Sequence, residues 1–266
     1  GLVVTYNNVG LPISLEGEHQ TTALHGTFYS YFTYNKKGLC TVARYFKSYE
    51  ENICEYTYDE EDRLIKSVNR NRDTGYKEEL YYTYDAVGNL LKEERKSYDE
   101  NASLTKWTAT EYTYDAKNQT TEKLYITYNE DGSVHYTTGY EYVYDDNGNC
   151  IEETKDYGGG YKYVQSFSYF EDERFLIEEK WYAGDALYSK TIWFLNGKIT
   201  EKSEGYRYSL EDGSLLSKNE EEYTYGENGV IVQTDYKEYG TDEKLLRREV
   251  TEYKNGKSVK ITHYDA

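Results

Sequence analysis

Along most of the chain, large apolar and polar positions alternate one for one, and each alternating stretch ends in the same few letters. In Glu111-Tyr112-Thr113-Tyr114-Asp115 the two tyrosines point one way and Glu, Thr and Asp the other. Tyr and Thr favour extended backbone. No sustained 3.6-residue apolar pattern competes, so helix is excluded. The stretch recurs as Tyr82-Thr-Tyr84-Asp85-Ala-Val-Gly88-Asn89-Leu90 and as Tyr142-Val-Tyr144-Asp145-Asp-Asn-Gly148-Asn149-Cys150. Clear relatives follow Tyr56, Tyr112 and Tyr128, and weaker ones follow Tyr31, Phe167, Tyr208 and Tyr223. Counting looser copies such as Tyr49, Asn71, Tyr157, Tyr182 and Tyr239, a marker residue falls roughly every 14 residues from Tyr34 to Tyr253. That spacing fits one strand and one tight turn.

The turns carry readable chemistry. After Tyr-Asp come two ordinary residues and a Gly, as in Asp85 to Gly88, Asn129 to Gly132, Asp145 to Gly148 and the run ending at Gly229. This order predicts a three-residue hairpin loop, a type I turn closed by a left-handed residue. The Asp or Asn hydrogen-bonds the turn backbone and Gly accepts positive φ. Asn118 suits the Gly slot. Asp62, Ala102 and Glu173 suit it poorly, so altered turns are expected there. Asn196-Gly197 and Asn255-Gly256 read as two-residue type I′ turns. Pro12 is placed ahead of the array, where it removes no donor from a strand.

Seventeen markers predict an all-β fold: a long antiparallel meander of about 17 strands. Sheets of more than about ten twisted strands curl. The expectation is a spiral or barrel-like shell coiled around the marker tyrosines. Residues 1–27 lack the signature and are read as an N-terminal cap on the first edge strand. Residues 28–266 are read as one continuous repeat domain.

Composition decides what such a sheet is built from. Leu, Ile, Val and Phe supply about 18% of the chain and net charge is −18, a profile close to disorder. The 35 Tyr and three Trp reverse that expectation, since each can bury about 150–250 Å². A semi-polar, partly hydrated interior follows. The acidic balance argues against nucleic acid and against anionic membranes. No apolar run is long enough to make a transmembrane helix. The lack of any Met, even at position 1, reads as a chain from which a leader has been cut, which predicts export.

Sites of chemistry are scarce. Cys40, Cys54 and Cys150 are few and odd in number and are expected as free thiols. No ligand spacing links the four His, so no metal and no cofactor is expected; the Asp145-Asp146-Asn147 cluster reads as turn capping rather than a Ca²⁺ site. Glu pairs such as Glu93-Glu94, Glu152-Glu153 and Glu178-Glu179 alternate across a strand and face opposite sides. They do not form an acid/base pair, and no catalytic residue is assigned. The candidate ligand residues are Trp107, Trp181 and Trp193, each on the face opposite its neighbouring marker (Tyr112, Tyr182 and Phe194) and open there to a sugar or a protein.

The motif Y-x-Y-D-x-x-G-N-L, carried best at residues 82–90 and 142–150, resembles that of the YD-repeat (RHS-repeat) proteins over about residues 28–260. The resemblance implies an antiparallel meander, a secreted or cell-surface setting and carbohydrate binding. No D-P-x-G shell-closing segment is found, so cargo encapsulation and self-cleavage are not implied. The expected function is a non-enzymatic binding or adhesion scaffold, with polysaccharide, or another protein at an aromatic surface or open edge strand, as partner. The alternative is a purely structural spacer or shell segment of a larger YD-repeat assembly.

Overall fold

The computed structural model describes residues 2–21, 24–47, 50–170 and 173–265. The marker at Tyr49 and the turn before Glu173 therefore lie outside or at the border of the described residues. Among the described residues twenty strands, β1 to β20 in chain order, form one antiparallel meander sheet without helices. β1 (Leu2–Tyr6) pairs with β2 (Pro12–Thr21), which pairs in turn with β3 (Leu24–Tyr34). At the other end, β19 (Leu245–Lys254) pairs with β20 (Lys257–Asp265). Among the described residues β1 and β20 each have a strand on one side only. The barrel-like closure expected as one outcome is not formed.

The strand count exceeds the seventeen expected because both ends continue the pattern. Residues 2–21 are two further strands, and Thr5-Tyr6-Asn7-Asn8-Val9-Gly10-Leu11 is itself a copy of the turn motif. Asn7 N–H donates to the Leu11 carbonyl at 2.8 Å and Gly10 has φ 84°. Pro12 consequently sits inside the array, as the first residue of β2 opposite Tyr6. It is tolerated there because a strand's first residue can forgo its donor.

Contacts divide the chain into two compact units, one of Gly1–Thr113 with Lys123–Thr137 and one of Tyr114–Glu122 with Thr138–Ala266. Among the described residues, the strand contacts within each unit join sequence neighbours, as in a single layer. No large side chain is fully enclosed among the described residues. The most buried positions are small or polar as often as apolar: Ala43, Ala109, Ser97, Thr154, Ser203 and Thr251 are examples. The semi-polar character expected from the composition is present, but as two half-covered sheet faces rather than an interior.

The turns follow the predicted chemistry closely. At the first loop residue, Asp85 Oδ1 accepts from the N–H groups of Val87 (3.0 Å), Gly88 (2.8 Å) and Asn89 (2.8 Å). Gly88 lies at φ 102°, in left-handed space. The register then slips by one residue between Thr83 and Tyr84, and the same slip occurs at Thr57/Tyr58, Ser97/Tyr98, Val143/Tyr144 and Thr224/Tyr225. These are the bulges that a three-residue loop imposes.

Three turn expectations are corrected. Asp62 (φ 66°) and Ala102 (φ 61°) adopt the ordinary turn rather than an altered one, with the Asp59 and Asp99 side chains gripping the loop as Asp85 does. Those hydrogen bonds outweigh the roughly 1–2 kcal/mol of left-handed strain. At Asn196-Gly197 the strand runs one residue further than expected. Asn196 pairs with Ile199, the loop is Gly197-Lys198, and only Gly197 (φ 58°) is positive, the signature of type II′. Asn255 (φ 53°) and Gly256 (φ 72°) are both positive, as a type I′ turn requires.

Candidate functional site

Strand alternation and register decide which side chains share a surface, and they do not gather the marker tyrosines on one face. In the first unit, β7 (Lys77–Tyr84) sets Tyr82 opposite Glu93 and Tyr81 opposite Glu94. Tyr82 and Tyr84 therefore share a face with Ser97, Cys54 and Tyr56. Tyr98, the marker of the following strand, lies on the other face, opposite Lys77 and beside Tyr81 and Trp107. The expectation of one inward marker face is thus corrected. Markers occur on both faces: Tyr58 and Tyr84 lie on one and Tyr98 on the other.

Six markers on the first face share one interaction. Tyr84 Oη donates to the Leu64 carbonyl at 2.9 Å, at the start of the preceding strand β6 (Leu64–Asn71). Tyr34 does the same to Pro12 (2.7 Å) and Tyr58 to Cys40 (2.8 Å). In the second unit Tyr144 reaches Thr120 (2.8 Å), Tyr169 reaches Cys150 (2.8 Å) and Tyr225 reaches Thr200 (2.7 Å). Each phenol closes the bulge at which an ordinary ladder bond is lost, and ties one hairpin to the one before it.

The loops are stitched as well. Arg63 Nε donates to Asp59 Oδ2 (2.7 Å), while its guanidinium reaches the carbonyl of Asp85 in the next loop (2.9 Å). Lys37 donates to the Glu60 carbonyl and to Asp62; Lys117 and Gln119 reach the carbonyls of Asp146 and Gly148. Where the motif reads Gly-Asn, the Asn side chain donates to the second oxygen of the loop Asp: Asn89 to Asp85 (2.9 Å) and Asn149 to Asp145 (3.1 Å). Strand alternation and turn type give that Asn no role, so the letters alone do not reveal it. Desolvation works to raise the Asp85 carboxyl, yet backbone and side-chain donors hold it below the usual range, as they do Asp145. Asn129 has a different partner, Ser133 Oγ at 2.9 Å, and Asp131 caps that loop instead.

The second face carries a lattice of Lys, Glu and Tyr. Lys77 Nζ lies 3.9 Å from the Tyr98 ring centre and 3.3 Å from Glu79, which also accepts from Tyr81 (2.9 Å) and Tyr98 (3.3 Å). In the second unit β16 (Ile199–Tyr208) and β17 (Leu215–Tyr225) repeat it. Lys202 pairs with Glu204 (2.8 Å), Lys218 with Glu220 (2.8 Å), Tyr206 donates to Glu204 (2.7 Å) and Tyr239 to Glu220 (3.2 Å). Burial opposes ionisation of Glu79, Glu178 and Glu204, and bonded Lys, joined by Tyr at Glu79 and Glu204, holds these carboxyls below their ordinary value; at Glu220 the bonded Lys218 outweighs burial with the same result. Burial, reinforced by the bonded carboxylates, raises the Tyr81, Tyr163 and Tyr206 phenols. Neighbouring Glu residues on one strand do face opposite sides, as Glu93 and Glu94 show.

The three tryptophans lie opposite their neighbouring markers, as expected, and all are half-buried. Trp107 lies in the first unit and Trp181 and Trp193 in the second. Trp107 belongs to the Lys-Glu-Tyr face of the first unit. Its indole N–H donates to Glu94 (2.8 Å), its ring packs 4.7 Å from Tyr128, and Lys96 lies 4.2 Å over it. It also abuts Gly132, where a Cβ would stand 3.1 Å from the ring, so that Gly serves both φ 85° and this contact. Trp181, in β14 (Glu173–Ala183), stacks on Tyr157 at 5.9 Å and tilts against Tyr163 at 4.7 Å. Trp193, in β15 (Ala186–Asn196), stands opposite Ile177 and Ser203 on the same face as Trp181. Cys40, Cys54 and Cys150 are free and half-buried, with burial raising each thiol. Among the described residues no group of His, Cys, Asp and Glu is arranged to hold a metal ion, and no helix is long and apolar enough to cross a membrane.

No family model matches the chain, and no curated protein matches it. Among solved structures it is similar to a porin-like protein from Bacteroides uniformis, at 12% identity and a TM-score of 0.28, covering 94% of this chain and 92% of that one. It is also similar to a chain of a Photorhabdus luminescens Tc holotoxin pore, at 14% identity and a TM-score of 0.18. That match covers 98% of this chain but 18% of the other. Superpositions this loose have no bearing on function.

Proposed function

We propose that this chain is a non-enzymatic scaffold of YD-repeat type, working outside the cell or on its surface as a binding or adhesion module. The observation that carries the reading is the pair of half-covered aromatic faces on a single-layer sheet. Rows of Tyr with Trp181 and Trp193 on the first face of the second unit remain open to a flat partner. Aromatic rings beside carboxylates and amines suit the alternating apolar and hydroxyl faces of a polysaccharide. The displaced Asp and Glu pKa values are all lowered among the described residues, which suits structural ion pairs better than a general acid. Labelled protein on a glycan array tests the reading. The expected result is binding that Trp181→Ala weakens while far-ultraviolet circular dichroism stays unchanged. Silence on every glycan would remove polysaccharide as the partner.

A second reading, a structural spacer or shell segment, is favoured by Trp107. Its N–H, its ring face and its edge are already engaged by Glu94, Lys96, Tyr128 and Gly132, which leaves little of it for a ligand.

A further inference from the structure

In the second unit a row of side chains crosses the strands on the first face. Tyr140 pairs with Lys155, in β12 (Cys150–Asp156), and Lys155 with Tyr163, in β13 (Tyr161–Phe170). Tyr163 pairs with Trp181, Trp181 with Ser189 and Ser189 with Arg207. Directly paired residues share a face, so these six side chains form one line perpendicular to the strands.

Both cations in the line lack a carboxylate partner among the described residues. Lys155 Nζ lies over the rings of Tyr140 (5.1 Å) and Tyr157 (4.4 Å), and Arg207 is exposed with no partner for its side chain. On the other face Lys190 lies 3.4 Å from Glu178, Lys202 2.8 Å from Glu204 and Lys218 2.8 Å from Glu220. With 49 acidic and 31 basic side chains in the sequence, a cation finds a carboxylate easily, and these two have not. The Trp181 indole N–H is a third donor without a protein acceptor, open to solvent, whereas the Trp107 N–H is taken by Glu94. At the Arg207 end the surface dips into a cleft of about 660 Å³, lined by Ser189, Arg207, Ser209, Leu210, Glu211 and Leu216 among others. Glu211 makes no ion pair with Arg207 there.

We infer that an acidic polysaccharide lies along this line, across the strands, with neutral sugar units between its carboxylates. Lys155 and Arg207, four strand spacings or about 19 Å apart, take two of the carboxylates. Between them Tyr163 and Trp181 meet the apolar faces of the rings, while the Trp181 N–H and the Ser189 hydroxyl meet sugar oxygens. Glu153 and Glu179 stand on the same face, two residues along from Lys155 and Trp181. They repel a polymer charged at every unit and so favour the sparsely charged one. The inference rests on the polysaccharide reading of this face and adds to it the charge and the direction of the bound polymer.

Isothermal titration of the whole chain tests it with three probes: hyaluronan oligosaccharides, whose carboxylates alternate with neutral sugars, neutral cello-oligosaccharides, and densely charged dextran sulfate. Hyaluronan is expected to bind most tightly. Lys155→Gln and Arg207→Gln should each weaken it roughly threefold or more, and leave any binding of cello-oligosaccharides unchanged. The Arg207 side chain holds nothing else in place, so its variant decides the matter even if Lys155→Gln loosens the Tyr140 and Tyr157 rings. Cello-oligosaccharides bound as tightly as hyaluronan, with both variants like the parent, would overturn the inference and leave the polysaccharide reading standing. Tighter binding of dextran sulfate than of hyaluronan would overturn it too. So would binding of none of the three, and the glycan array then judges the polysaccharide reading by itself.

Discussion

The Tyr84 phenol and the Leu64 carbonyl, 2.9 Å apart, belong to different hairpins and meet at a bulge where the backbone ladder has slipped. A one-layer sheet cannot lean on a second layer for stability. It must replace the missing core with contacts along its own faces, and this bond, repeated with the same geometry in both units, is one such replacement. The lattice of Lys, Glu and Tyr on the opposite face is another.

The loop glycines give a clean separation of strain from packing. A Cβ at Gly88 would meet nothing within 4 Å, so the cost of Gly88→Val arises from φ 102° alone. The expected loss exceeds about 1 kcal/mol. Ala102→Gly, at φ 61°, should by the same argument gain about 0.5–1 kcal/mol. Urea denaturation of both variants checks the pair, and equal stabilities would contradict the turn assignment.

Acid should loosen the loops first. Despite desolvation at Asp59 and Asp85, the Asp59, Asp85 and Asp145 carboxyls lie below their ordinary values because loop N–H groups, and at Asp59 also Arg63, hold the charged form. A folded pKa below the unfolded one gives stability that is complete above about pH 4 and is lost as pH falls through the folded value. Denaturation midpoints taken from neutral pH downward should therefore hold steady and then fall. In Asp85→Asn the fall should be shallower, from a lower starting point.

Alkali should act through the phenols. Burial raises Tyr56, Tyr163 and Tyr206, with bonded carboxylates assisting at the last two, and raises Tyr223 to about 12. A folded pKa above the unfolded one means that the stabilising effect is complete below about pH 10 and is lost as pH rises through the folded value. Spectrophotometric titration should show a fraction of tyrosines ionising late and together with unfolding. Smooth ionisation of all 35 near pH 10 in a folded chain would contradict the burial pattern.

Much of the architecture was legible in the residues because its rules are local. Tyr-Asp-x-x-Gly fixes a loop, the loop fixes a bulge, and alternation does the rest. The first hairpin obeys the same rules from Tyr6-Asn7 to Gly10-Leu11, but β1 before it is short and aliphatic and lacks the Tyr-x-Tyr alternation that marks the other copies. Faces were harder. Whether Tyr98 lies with Tyr84 depends on the register slip between Thr83 and Tyr84, which sets Tyr98 opposite Lys77, and one slip inverts a whole side-chain row. The environment of Trp107 was harder still, because Gly132 and Tyr128 reach it from another hairpin and only three-dimensional placement brings them there.

Tyrosine hydroxyls, and not ring burial alone, hold the hairpins in register. Replacing Tyr34, Tyr58, Tyr84, Tyr144, Tyr169 and Tyr225 together by Phe keeps every ring and removes only the bonds made by the hydroxyls, chiefly those to carbonyls. Each lost bond should cost about 0.5–1.5 kcal/mol, and a carbonyl left half-covered should raise the figure. The urea midpoint of the sixfold variant is predicted to drop severalfold further than that of Tyr84→Phe alone. A midpoint equal to the parent's would show that the rings suffice and that the hydroxyl contacts are incidental.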